Sequence, residues 1–196
     1  MMKLIAGLLW GAGVAGWYII RFPHAARARR IPVQRVRDRI GETVLLAISF
    51  SGLFAVPFVW LVTGWPRAGN YAGSPWQLAA GALVFAGALW MFERTHRDLG
   101  KNWSVMLELR TQHRLVTGGI YARVRHPMYA AFWLWALAQA LLLPSFIAGP
   151  AGLVGFGILY LARVGREERL MIEQFGDEYR AYIARTGRLL PRRHGD

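Results

Sequence analysis

Five stretches of the chain are apolar for long enough to approach the roughly 20 residues that a helix needs to cross a bilayer core. They cover residues 4–20, 44–62, 76–92, 127–143 and 146–164. The last carries Arg163 only at its end, where a long cationic side chain can snorkel to the interface. Trp17, Tyr18, Trp60, Trp65, Trp76 and Trp90 stand near the ends of these runs, as interfacial aromatics do. The first run is long for a signal peptide and is expected to stay as an anchor. The pattern predicts an all-α integral membrane protein of about five transmembrane helices.

Little more than Pro144 and Ser145 separates the fourth run from the fifth, which predicts a tight antiparallel hairpin. Such a hairpin brings the segment ending at His126 beside the segment beginning at Arg166. Residues 1–92 then form an N-terminal three-helix membrane region. Residues 93–196 form a catalytic region of interfacial loop, hairpin and C-terminal helical cap, the whole being one integrated domain.

The polar positions between the runs are basic far more often than acidic. Of the 24 Lys and Arg residues, 22 fall in the first loop, the third loop or the tail, and only Lys3 and Arg67 fall on the other side. Short cytoplasmic loops retain Lys and Arg, so the N-terminus is expected outside and the C-terminus inside. A net charge of +13 in a chain that is 55% hydrophobic points to anionic lipid as the partner and not to nucleic acid. The absence of Cys excludes disulfides, thiolate metal sites and a cysteine nucleophile. His24, His96, His113, His126 and His194 show no metal-ligand spacing, so no metal is expected. Richness in Arg, Ala and Gly points to a bacterial source and hence to an inner membrane.

Two clusters could carry chemistry. The first runs from Gly118-Gly119 through Tyr121 to Arg125-His126-Pro127-Met128-Tyr129. Pro127 suits the first turn of the fourth helix, because its missing N–H would be unpaired there anyway. Arg125 and His126 flank that helix start, whose free amides favour a carboxylate. A basic juxtamembrane anchor with a proline start is the plainer explanation of the same residues.

The second cluster is Arg166-Glu167-Glu168-Arg169, followed by Phe175-Gly176-Asp177-Glu178-Tyr179, Tyr182, Arg185 and Arg188. Glu167 has Arg163 four residues before it, and a helical ion pair would account for it. Glu168 has only Val164, Gly165, Met171 and Ile172 as helical neighbours, so it faces water, finds a nonlocal partner or meets a cationic ligand. Gly176-Asp177 reads as a helix stop and a new start. Tyr179 and Tyr182 share a face, as packing aromatics or as a wall for an adenine ring. In the third loop, the stretch from Leu99 to Ser104 contains Asn102 and Trp103 and reads as an interfacial helix or hairpin.

Taken together, Leu99-Gly100-Lys101-Asn102-Trp103-Ser104, Gly119-Ile120-Tyr121 leading to Arg125-His126-Pro127-Met128-Tyr129, and Glu167-Glu168 leading to Phe175-Gly176-Asp177-Glu178-Tyr179 resemble the isoprenylcysteine carboxyl methyltransferase family and its phospholipid- and thiol-methylating relatives. The resemblance runs from about Leu99 to Pro191. It implies a methyltransferase that uses S-adenosylmethionine and releases S-adenosylhomocysteine, with a lipophilic or small acceptor. By the same resemblance Val116, Gly119 and Tyr121 line the adenosine, and Tyr179 and Tyr182 join the cofactor-binding set as its candidate adenine wall. His126, Pro127 and Tyr129 hold the methionine end, and Glu167 or Glu168 takes its ammonium or organises the pocket. Arg125, Glu168 and Arg185 form the catalytic set, with Arg125 and Arg185 fixing an acidic acceptor that Asn102 and Trp103 help to bind. Two other readings stand beside this one: an NADPH-dependent sterol or steroid reductase, which shares an Arg-His-Pro-like helix start, and a non-enzymatic membrane scaffold.

Overall fold

The computed structural model describes residues 1–28, 33–36, 39–100, 108–110 and 115–192. The chain is a helical bundle. Helix α1 (Met2–Ala28) leads to a short strand β1 (Val33–Val36), and α2 (Arg39–Phe50) continues through a π-helical turn, Ser51–Ala55, into α3 (Val56–Thr63). Then follow α4 (Pro75–Leu99), β2 (Glu108–Arg110), a 3₁₀ turn at Gly119–Ala122, α5 (Pro127–Leu142), α6 (Ala151–Phe175) and α7 (Asp177–Arg185). β1 and β2 pair antiparallel, so the first and third loops, both basic in sequence, meet as a small ribbon.

Among the described residues, three helical stretches are long and apolar enough to cross a membrane: Met2–Ala26, Ile40–Thr63 and Pro75–Leu99. Pro127–Leu142 is a shorter apolar helix, and α6 joins an apolar first half to a charged second half. Leu8, Val62, Leu83 and Leu161 point outward from different helices at 66 to 76% exposure, the arrangement expected where the surrounding solvent is hydrocarbon. Trp65, Trp76 and Trp90 are likewise exposed. Trp60 departs from the expected interfacial role: it is buried and its indole donates to Asn70. Trp17 also turns inward, packing edge-on against Trp135 at 5.8 Å.

The helix starts follow local chemistry. Ser74 and Gln77 make a reciprocal capping box at the head of α4, and Pro127 takes the first position of α5 as expected. The last span begins later than its apolar pattern suggested. Residues 143–150 form a turn in which Ser145 Oγ accepts from the amides of Ile147 and Ala148, and α6 starts only at Ala151. The link between α5 and α6 is therefore longer than Pro144 and Ser145 alone.

The core of the bundle is close-packed where small residues meet. A Cβ on Gly155 of α6 would lie 2.8 Å from the Ile48 carbonyl oxygen, so α2 and α6 touch backbone to backbone. Gln139, fully buried in α5, donates to the carbonyls of Gly52, Ala148 and Gly149. Its two N–H hydrogens are shared among an oxygen in the π turn of α2 and α3 and two more in the α5–α6 connection, groups that hydrocarbon could not satisfy. This packing puts the start of α2, the end of α4, the start of α5 and the charged half of α6 at one end of the bundle.

Candidate functional site

Glu168 sits where that end closes. It projects from α6 with the residue 8% exposed, and its expected lack of a partner on its own helix is met by three nonlocal ones. Oε1 accepts from Arg125 Nε and Nη2, from His126 Nε2 and from Arg188 Nε, each at 3.2 Å. Oε2 accepts from Arg188 Nη2 at 2.5 Å. Burial alone pushes this carboxyl up, but the hydrogen bonds from His126 and Arg188 and the charge of Arg188 outweigh it and hold the group down at about 2. A carboxylate so placed only accepts, so the His126 Nε2 facing it carries the hydrogen.

His126 links this carboxylate to its neighbour. Its Nδ1 lies 3.7 Å from Oε1 of Glu167, whose Oε2 accepts a 2.5 Å hydrogen bond from the Tyr129 hydroxyl. The rings of His126 and Tyr129 stack at 5.4 Å, and Tyr160 packs edge-on against Tyr129. Glu167 keeps about a third of its side chain exposed, at 32%, against 11% for Glu168. The local ion pair expected between Glu167 and Arg163 is replaced: Arg163 Nε lies 3.3 Å from Glu42 of α2.

The strand-like segment before α5 is held by the tail. Val124 and Gly187 form a parallel bridge, the Arg125 amide donates to Gly187 O at 2.8 Å, and the His126 amide donates to Arg188 O at 3.0 Å. Arg125 Nη1 also donates to the carbonyls of Ile183 and Thr186. With Nε and Nη2 on Glu168, this guanidinium is spent on internal bonds, and its side chain is 9% exposed. Arg188 reaches the same carboxylate but leaves 47% of its side chain exposed. The hydrogen bond to Glu168 and, after the opposing effect of burial, the carboxylate's charge raise the Arg188 pKa above its ordinary value.

Gly176, at φ +53°, stops α6 as expected and lets α7 turn back over the cluster. Tyr179 and Tyr182 of α7 are both 2% exposed and lie 5.8 Å apart. Tyr182 donates a 2.6 Å hydrogen bond to the Tyr121 carbonyl, and burial pushes its phenol up to about 12. Burial, and after it the charges of Glu168 and Glu167, push Tyr179 up as well. The Tyr182 hydrogen bond ties α7 to the 3₁₀ turn, and both roles open to the two rings, packing and adenine wall, stand. The turn itself is pinned by Asp98 at the end of α4, which accepts from the Ile120 amide at 2.8 Å and pairs with Arg94 at 3.2 Å. Gly119 has φ +60°, and a Cβ there would press into the Asp98 carboxylate.

The structure thus gathers Arg125, His126, Pro127, Tyr129, Glu167 and Glu168 at one point, with Tyr121, Tyr179 and Tyr182 adjoining. Gly119 stands on the pinned turn, and Val116 is half-buried in the segment leading to it. Arg185 is not part of the cluster: it is exposed at the end of α7 with its guanidinium 5.8 Å from the Tyr182 ring. Asn102 and Trp103 lie outside the described residues. Arg188, Asp98 and Glu42 were assigned no role in the sequence, and each acts through a contact that no local spacing announces. Among the described residues, no group of three or more His, Cys, Asp or Glu is placed to hold a metal ion.

Comparison with known proteins follows the same geography. The model of the isoprenylcysteine carboxyl methyltransferase (ICMT) family matches residues 78–173. Protein-S-isoprenylcysteine O-methyltransferase of Schizosaccharomyces pombe is 40% identical over 70 residues, 36% of this chain and 30% of the relative. The Rattus norvegicus protein of the same name is 30% identical over 118 residues, 59% of this chain and 42% of the relative. The Homo sapiens protein is 33% identical over 90 residues, 46% of this chain and 32% of the relative. The chain thus spans less than half the length of these relatives. The solved structure of a eukaryotic intramembrane Ras methyltransferase ICMT has the same fold, with a TM-score of 0.54 at 22% identity, covering 80% of this chain and 54% of that one.

Proposed function

We propose that this chain, which resembles the ICMT family in sequence over residues 78–173 and in fold, is a membrane methyltransferase. In this reading it takes a methyl group from S-adenosylmethionine and places it on the carboxylate of a lipophilic acceptor such as an isoprenylated cysteine. The observation that carries it is the division of labour between the two adjacent glutamates. Glu168 is saturated by Arg125, His126 and Arg188, whereas Glu167 keeps an exposed edge and one phenolic donor.

The residues present suit the donor molecule. An amino-acid ammonium calls for an anion with an open face, and Glu167 has one. An amino-acid carboxylate calls for N–H donors and positive potential, which the start of α5 supplies. The pinned turn at Gly119–Ala122 offers backbone atoms beside the cluster for the adenosine. When bound, S-adenosylmethionine supplies a methyl carbon made electrophilic by its sulfonium.

The chain's own residues then have an alignment task. A carboxylate acceptor is ionised near neutral pH and needs no base. Arg188, half-exposed and anchored at one end by Glu168, is the cation that holds such an acceptor; Arg125 is enclosed and acts by fixing Glu168 and the tail. Alignment and exclusion of water provide most of what an in-line displacement needs. We place the cluster on the cytoplasmic side of a bacterial inner membrane, the side on which the basic loops fall.

The test is calorimetric titration of the detergent-solubilised protein with S-adenosylhomocysteine, with NADPH in parallel. Saturable binding of the first alone supports the reading. Binding of NADPH alone moves the case to a reductase, and binding of neither leaves a scaffold.

A further inference from the structure

The spans before residue 78 lie outside the family match, yet one of their residues reaches the site. Glu42, in the first turn of α2, is 1% exposed, a depth at which a carboxylate requires a cation. Two arginines of α6 supply it: Arg163 Nε is 3.3 Å from Oε2, and Arg166 Nη2 is 3.7 Å from Oε1. The close approach of α2 to α6 at Gly155 and Ile48 keeps these groups in register.

Arg163 stands four residues before Glu167 on the same helix, the spacing at which the two side chains ordinarily pair. In the folded protein Arg163 turns to Glu42, and Glu167 is met by Tyr129 and His126. Glu42 and Glu167 therefore compete for Arg163 over a short distance.

We propose that Glu42 is a positioning residue that holds Arg163 on α2 and so keeps the Glu167 carboxylate open to the ammonium of an amino-acid-bearing ligand. This rests on the reading that Glu167 faces the donor's ammonium. With the Glu42 charge removed, Arg163 turns to its own helix and neutralises Glu167 before the ligand arrives. With the Arg163 charge removed as well, Glu167 is open again.

The experiment uses the full chain in detergent and two ligands, S-adenosylhomocysteine and 5′-methylthioadenosine, the second lacking the amino-acid group. Glu42→Gln is expected to weaken S-adenosylhomocysteine about tenfold and to leave 5′-methylthioadenosine unchanged. Adding Arg163→Gln is expected to restore affinity to within about twofold of the parent. If Glu42→Gln does not fold, Glu42→Asp, which keeps the charge and shortens its reach, is expected to give the same selectivity at about threefold. Unchanged affinity, equal loss for both ligands, or a double variant no better than the single overturns the proposal. Glu167→Gln is measured alongside: if it binds S-adenosylhomocysteine as the parent does, the reading of Glu167 is the part that fails, and this proposal falls with it.

Discussion

The phenol of Tyr129, in the first turn of α5, donates a 2.5 Å hydrogen bond to Oε2 of Glu167 on α6. It fixes the orientation of the one glutamate in the cluster that keeps an open edge. Tyr129→Phe retains the stack on His126 and removes only the donor of a hydrogen bond to a charged group, a kind that contributes about 1.5–3 kcal/mol to stability and only in part to binding. Calorimetry is expected to show S-adenosylhomocysteine binding roughly three- to tenfold weaker, with the fold intact. Parent-like affinity would mean that Glu167 needs no such support.

Glu168 makes stability depend on pH in a defined direction. Its carboxyl titrates at 4.5 when unperturbed and at about 2 in the folded chain. The unfolded state therefore takes up the proton first as pH falls. The contribution is complete above 4.5 and is lost between 4.5 and about 2. Thermal melts from pH 6 down to pH 3 are expected to fall more steeply for the parent than for Glu168→Gln, which starts lower because Arg125 and Arg188 lose their counter-ion. Parallel pH profiles would refute the assignment.

Arg188 and Arg185 are three residues apart and have different fates. Arg188→Ala is expected to raise the acceptor KM at least tenfold, while affinity for S-adenosylhomocysteine changes little. Arg185→Ala, on an exposed side chain at the end of α7, should change either quantity by less than about twofold. Steady-state kinetics of both variants separate the two roles. Equal effects would return the acceptor to Arg185.

Asp98 and Gly119 act as one device that pins the 3₁₀ turn. Gly119→Ala places a side chain at a positive φ, a strain of about 1–3 kcal/mol, and pushes into Asp98. Asp98→Ala removes the acceptor of the Ile120 amide. Both are expected to weaken 5′-methylthioadenosine and S-adenosylhomocysteine alike, because the turn borders the adenosine end. Selective loss of the amino-acid-bearing ligand in either variant would place the turn elsewhere.

The bundle was legible in the sequence because hydrocarbon leaves no choice: apolar runs near the crossing length become helices. The error at the fifth span came from Phe146, Ile147 and Ala148, which are apolar enough to read as helix yet belong to a turn closed by Ser145 Oγ. The cluster was partly legible for a related reason. Pro127 fixed the start of α5 and Gly176 the stop of α6, so His126 and Glu168 were bound to approach once the two spans paired. Their partners were not legible. Arg163 satisfies the helical spacing to Glu167 and still turns to Glu42, a contact made across two helices far apart in sequence. Arg185 looked nearer the site than Arg188, but α7 ends at Arg185 and Thr186 is extended, with φ −124° and ψ 146°. The chain then runs back along Val124 and delivers Arg188 to Glu168.

Methylation of a prenylcysteine carboxylate is measured as transfer of a labelled methyl group from S-adenosylmethionine to a small S-prenylated cysteine with a free carboxyl, scored as base-labile label. Base-labile methyl ester is expected from the parent and is lost in Glu167→Gln. Label that resists base, or no transfer by a protein that binds S-adenosylhomocysteine, would contradict methylation of a prenylcysteine carboxylate.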